Sequence, residues 1–170
     1  MIVIGVDPGT KSLGLAVLDH VGRIIETRPI LIAGNGDLRQ RLRVVWSMIH
    51  GAFGMAARID ADRNEEESVV VVVEDGIYRC RSSSISSLAE CRGIIFSAAW
   101  SHHWKVVMVN PQTWKSSTMT MPERRMKKNA SYVTYWKQRL GWPVKTADQI
   151  DAILIARWFL ATRKERFDVT

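Results

Sequence analysis

The sequence predicts one α/β domain built on a mixed β-sheet, and three observations predict it. The first 32 residues read as three short strands joined by tight turns, the pattern of an antiparallel meander. From residue 37 onward, helix-like and strand-like stretches alternate, as they do where strands are joined by helical crossovers. Within that alternation Val69–Val73 sets five valines in a row, too β-branched for anything but a strand covered on both faces. A chain of 170 residues is room for one domain with a real core and hardly for two. The domain is expected to take in residues 1–170, with 164–170 a frayed tail.

Residues 2–7 are mostly β-branched and end at the turn Pro8-Gly9. Strands follow over Leu13–Leu18 and Arg23–Ile32, joined by a turn at Asp19–Gly22. Asp37 reads as a helix N-cap, because Leu38, Leu42, Val45, Ile49 and Phe53 then fall at helical spacing; Gly51 and Gly54 weaken the far end. Residues 60–68 are polar and acidic, a loop. Arg79–Ser87 is a basic, serine-rich loop leading into a helix over Ile85–His102, with Leu88, Cys91, Ile95 and Ala98 on one side. Lys105–Val109 is a fifth strand. Pro111–Lys115 starts a short helix, and Ser116–Glu123 reads as mobile. Lys128–Leu140 is a helix stopped by Gly141 and Pro143. Thr146 and Gln149 have capping-box spacing, and the helix beyond them is apolar from Ile150 to Ala161 except at Asp151 and Arg157.

Charge narrows the partners. Lys and Arg number 24 against 17 for Asp and Glu, giving +7 and a pI near 9.8. Between Lys105 and Lys145 nine basic residues face a single acid, Glu123. Such a concentration points to a polyanion, most often nucleic acid, although a solvated basic face accounts for the charge alone equally well. No apolar run approaches the ~18 residues of a membrane span. Met1 runs directly into a strand with no basic leader, and Cys80 and Cys91 form no CxxC pair, so a reduced, cytoplasmic setting is expected.

Four carboxylates stand out. Asp7 ends the first strand, Glu74 ends the valine strand, and Asp148 and Asp151 lie three apart on the last helix, sharing a face. Taken singly, Asp7 serves as well as a turn-former, Glu74 as a solvated strand end, and Asp148 as an acid favoured by the helix dipole. Asp151 is harder to explain away, since it interrupts an apolar helix. Together they are too costly to bury bare, and hard oxygen donors favour Mg2+ or Mn2+.

The segments GVDPGTKSLGLAVLD (5–19), VVVVVEDG (69–76) and ADQIDAILIA (147–156) resemble, in order and separation, the RuvC-type Holliday junction resolvases of bacteria and their phages. The resemblance implies a ribonuclease H-like fold: a five-stranded mixed sheet, antiparallel meander then parallel strands, flanked by helices. It implies that Asp7, Glu74, Asp148 and Asp151 are catalytic metal ligands for two Mg2+ ions, with Mn2+ able to substitute. Asp148 is the most replaceable of the four. It further implies paired hydrolytic nicks in four-way junctions, giving 5′-phosphate and 3′-hydroxyl ends, by a homodimer whose contact helix is Ser84–His102. Lys115 in QTWKS and Lys128 in MKKNAS resemble two lysines beside the site and the DNA; Lys127 could serve in place of Lys128. Tyr78, Arg79, Arg81, Arg124, Arg125 and Lys127 are expected DNA contacts. An aromatic wedge of the family falls on Ile77, with Tyr78 beside it.

Other features have plainer readings. His102-His103 is expected to be a frayed helix end and Cys80 a bystander, while Trp114 and Trp136 lie inside the basic segment and could stack on bases. Rival functions are a nuclease of the same fold acting on flaps, forks and replication intermediates, and a DNA-binding module without catalysis.

Overall fold

The computed structural model of the chain describes residues 1–9, 11–31, 37–61, 69–76 and 82–167. Five strands form one sheet: β1 (Ile2–Asp7), β2 (Ser12–Asp19), β3 (Ile24–Leu31), β4 (Val70–Glu74) and β5 (Lys105–Val109), in the order β3-β2-β1-β4-β5. β1 pairs antiparallel with β2, and β2 with β3; β1–β4 and β4–β5 are parallel. The expected meander followed by parallel strands is therefore present. The helices are α1 (Leu38–Ala61), α2 (Ser82–Ser101), α3 (Pro111–Thr118), α4 (Met121–Arg125), α5 (Ala130–Leu140) and α6 (Ala147–Phe167).

Successive side chains of a strand point to opposite faces, and both faces are covered here. Ile2, Ile4 and Val6, with Val69, Val71 and Val73, pack into one core with α1 and α2. Val3, Val70 and Val72 pack into a second core with α6, Trp114, Tyr132 and Trp136. The five valines thus feed two cores alternately, as a doubly covered strand requires. By the same alternation Asp7 and Glu74 fall on the α6 side of the sheet, and Asp75 falls on the α2 side.

Several elements differ from the expectation. α1 continues through Gly51 and Gly54 to Ala61, because the burial of Ala52, Phe53 and Ala56 outweighs the roughly 1 kcal/mol that an exposed helical glycine costs. Ser116–Glu123 is not a mobile stretch. α3 runs to Thr118, and Thr120 with Glu123 forms a capping box that opens α4. α5 begins at Ala130 rather than Lys128, since the Asn129 side chain accepts the amide of Tyr132 and caps the helix there. His102 and His103 do not fray. His103 takes the left-handed conformation (φ 57°), its amide donates to Trp100 O, and the His102 ring stacks on Trp104 at 4.5 Å. Among the described residues no helix is long and apolar enough to cross a membrane.

α6 lies unusually close to the sheet. A Cβ on Gly5 would stand 2.0 Å from the carbonyl oxygen of Ala152, and one on Gly14 would stand 1.8 Å from that of Asp148. Gly5, Gly14 and Ala16 form a track of small residues under the helix, and Gly14 is the register partner of Asp7. That approach brings the first turns of α6 down beside the end of β1. Gly14→Ala should therefore cost about 1–3 kcal/mol or more, the range of overpacked cores. It should lower the urea midpoint of unfolding and displace Asp148 at the same time. An unchanged midpoint would show that α6 is not held this tightly.

Candidate active site

Two strand ends and one helix deliver the acids. The β1–β4 register ends at Val6↔Val73, so Asp7 and Glu74 are the next residues on adjacent parallel strands, both aimed to the α6 side. Gly14 admits the first turn of α6, which carries Asp148, with Asp151 one turn further on. Asp151 is 1% exposed, while Asp7, Glu74 and Asp148 are half-buried.

Each acid has a definite environment. Burial holds the Asp7 carboxyl well above the usual aspartate range, and the charges of Asp151, Glu74 and Asp148 add to the effect, with Lys128 working against it. Burial also raises Glu74, here opposed chiefly by the nearby charge of Lys115 and by the Trp114 indole N–H, which donates to Oε2 at 2.8 Å. Asp151 accepts from Lys128 Nζ at 2.5 Å on one oxygen and from the Tyr132 hydroxyl at 3.2 Å on the other. Lys128 is 45% exposed and reaches inward from the surface to a carboxylate that has almost no contact with solvent. Burial opposes its charge, but Asp151, Asp7 and Asp148 together push its pKa up. Tyr132 is pushed up by burial and by Asp151, so it remains a donor at any physiological pH. Lys115 sits with Nζ 4.8 Å over the Trp114 ring, beside a cavity of about 320 Å³ that Glu74 also lines.

The sequence-predicted residues divide into three groups. Asp7, Glu74, Asp148, Asp151, Lys115 and Lys128 come together in one place. Arg124, Arg125 and Lys127 do not touch the acids. They are exposed on and after α4, whose geometry Glu123 fixes by accepting from Thr120 and Tyr135 and pairing with Arg139 at 3.0 Å. Ile77, Tyr78, Arg79, Cys80 and Arg81 lie outside the described residues. Trp114 and Trp136 are not free to stack on bases, being buried in the α6-side core. Trp114 instead holds Glu74, and this role and that of Tyr132 went unread in the sequence.

Among the described residues no three carboxylate, imidazole or thiolate groups close on one point, and Lys128 supplies the positive charge against Asp151. The donor set itself, four carboxylates of which Asp7 is repelled by the other three, has the chemistry of a hard divalent-cation site. Among known proteins, the family model of crossover junction endodeoxyribonuclease RuvC matches residues 3–157. No curated protein sequence matches the chain. Solved structures share the fold, among them two of Thermus thermophilus RuvC. Thermus thermophilus RuvC in complex with Holliday junction substrate is 17% identical, with a TM-score of 0.70 and 96% of each chain covered. A second Thermus thermophilus RuvC structure is 18% identical, with a TM-score of 0.68 and 97% of each chain covered. The architecture is thus that of RuvC, a ribonuclease H-like fold.

The raised Asp7 has a consequence for stability without metal. Folding tightens the hold of Asp7 on its proton, so the folded state is the more protonated one. Its contribution to stability therefore falls as pH rises past the ordinary aspartate value of about 3.9. In EDTA at pH 7, Asp7→Asn should melt at a higher temperature than the wild type, and the difference should close below about pH 4. A variant less stable than the wild type across that whole range would contradict the assigned electrostatics.

Proposed function

The chain belongs to the crossover junction endodeoxyribonuclease RuvC family, and from that premise we propose that it resolves four-way DNA junctions by paired hydrolytic nicks. The products are a 5′-phosphate and a 3′-hydroxyl. The observation that carries this reading is the convergence of Asp7, Glu74, Asp148 and Asp151 at one end of the sheet, beside the most basic segment of the chain.

These four acids would hold Mg2+, with Mn2+ as a substitute. A divalent cation held by these carboxylates would supply Lewis acidity, both for activating a water and for stabilising charge on the leaving 3′ oxygen. The chain's own residues do the rest. Trp114 and Tyr132 fix the carboxylates of Glu74 and Asp151 by donating to them, so neither acid needs to reorganise when the phosphate arrives. Lys115 and Lys128 bring fixed positive charge to the rim, where the phosphate gains negative charge in the transition state.

The cavity beside Glu74 continues past Pro111, Gln112 and Lys115 into an open cleft that reaches Arg124. It gives a strand a charged path away from the acids. Arg124, Arg125 and Lys127 would bind phosphates along that path, and Tyr78, Arg79 and Arg81 are proposed as further DNA contacts. A homodimer would present two such sites to two strands of a twofold-symmetric junction. Its contact surface would be the outer face of α2, where Ile85 and Trp100 are exposed. The protein would act in the cytoplasm.

A labelled four-way junction, incubated with Mg2+ or with EDTA, tests the proposal. Wild type with Mg2+ should nick two opposed strands, whereas EDTA, Asp7→Asn and Glu74→Gln should each abolish cleavage and leave junction binding intact. Flaps and forks cut as fast as the junction would instead assign a broader branched-DNA nuclease. Cleavage by Asp7→Asn near the wild-type rate would remove the acids from the mechanism.

A further inference from the structure

Asp7 and Glu74 stand on the two halves of the sheet just where the hydrogen-bonded connection between those halves stops. β1 carries Asp7 together with β2, through the pair Asp7↔Gly14. β4 carries Glu74 together with β5, through the pair Glu74↔Val109, and the amide of Asp75 donates to Val109 O at 2.8 Å. Between the halves the register runs only from Val3↔Val70 to Val6↔Val73. Beyond that rung, nothing in the β-ladder sets the separation of the two acids.

A single turn of α2 spans this gap from the opposite face. The Cys91 thiol, fully buried, donates to the carbonyl oxygen of Gly9 at 3.6 Å, two residues after Asp7. Its pKa is pushed up to about 11 by burial, so it stays a protonated donor. The next residue, Arg92, is 5% exposed in its side chain and bonds Asp75 through Nη1 at 2.7 Å, one residue after Glu74. Asp75 faces α2 because Glu74 faces α6, so the alternation of the strand presents Asp75 to Arg92. Gly9 itself cannot be replaced without moving the backbone around it. A Cβ on Gly9 would lie 2.0 Å from Ser12 O, which leaves room only for glycine where the chain doubles back from β1 to β2. A guanidinium this deeply buried is expensive, and its Nε has no hydrogen-bond partner among the described residues. A plain packing position on α2 would not bear that cost.

We propose that Cys91 and Arg92 are positioning residues: together they clamp the residues that follow Asp7 and Glu74, and so set the spacing of these two acids for the divalent cation. The inference rests on the metal-binding reading of the acids given above. Neither residue touches a ligand or the substrate. Their action passes through Gly9 and Asp75 alone, from the face of the sheet opposite the acids.

The test is binding of Mn2+ to the DNA-free, full-length protein, followed by electron paramagnetic resonance, alongside metal titrations of junction cleavage. Arg92→Gln, one residue further out than a direct partner of a ligand, should weaken Mn2+ binding by roughly three- to tenfold, at or below the tenfold that losing such a partner costs. The same shift should appear in the metal concentration for half-maximal cleavage. Arg92→Lys should restore most of the loss, and Cys91→Ala should show a smaller shift in the same direction. If Arg92→Gln fails to fold, Arg92→Lys and Cys91→Ala carry the comparison, since both keep the core filled or nearly so. A lower melting temperature with unchanged Mn2+ affinity would overturn the proposal and leave the pair a structural tie. So would a wild type that binds no Mn2+. A wild type that binds Mn2+ but cuts no branched DNA, with the variants still weakened, would sink the proposed function while the clamp stood.

Discussion

Asp7 lies at the end of β1 with Asp151, Glu74 and Asp148 near enough to raise its pKa on top of the effect of burial. Like charges gathered where water is scarce oppose folding, and their cost must be met by positive charge or by hydrogen bonds to the carboxylates. The chain supplies part of both. Lys128 reaches in from the surface to Asp151, Lys115 lies near Glu74, and Trp114 and Tyr132 each donate to a carboxylate oxygen. Asp7 still titrates well above an ordinary aspartate after these contributions. On the proposed reading a cation would meet the remaining demand, and this would link the stability of the fold to its chemistry.

The rest of the architecture serves that junction of elements. Glycines at positions 5 and 14 let α6 descend onto β1 and β2, and without that approach Asp148 and Asp151 would stand away from the strand ends. The parallel pairing of β1 with β4 runs to Val6↔Val73 and so brings the two acids out on adjacent strands, one residue past its last rung. α2 grips the opposite face through Cys91 and Arg92 while its outer side leaves Ile85 and Trp100 in solvent. One helix therefore joins the proposed assembly surface to the residues next to the acids.

Much of this was legible in the sequence, for reasons that can be named. Strand parity is local, so five successive valines ending in Glu74 announced a doubly covered strand and fixed which side the acid would face relative to Val72. The capping box at Thr146 and Gln149 is also local, and Gln149 Oε1 does accept the Thr146 amide at 3.2 Å. Thr120 and Glu123 carry the same local spacing and open α4 within a stretch whose sequence reads as mobile. What sequence could not supply was the third dimension. Trp114 sits in the most basic part of the chain, and only the packing of α3 against α6 shows that its indole is turned inward to Glu74 rather than outward to a base. Similarly, the sequence reads Lys128 as the start of a helix. Asn129 takes the cap, which leaves the lysine outside the helix and able to reach Asp151.

The central claim is that the four-acid cluster is incomplete without a cation and that Asp7 is its focus. It is tested most directly by melting the wild type and Asp7→Asn side by side at neutral pH while Mg2+ is titrated into metal-free protein. A cation that binds only the folded state raises its melting temperature as occupancy grows. The account predicts a progressive rise for the wild type and little or none for Asp7→Asn, so that the order of stability found in EDTA reverses at saturating Mg2+. Parallel curves for the two proteins, or a wild type indifferent to Mg2+, would contradict it.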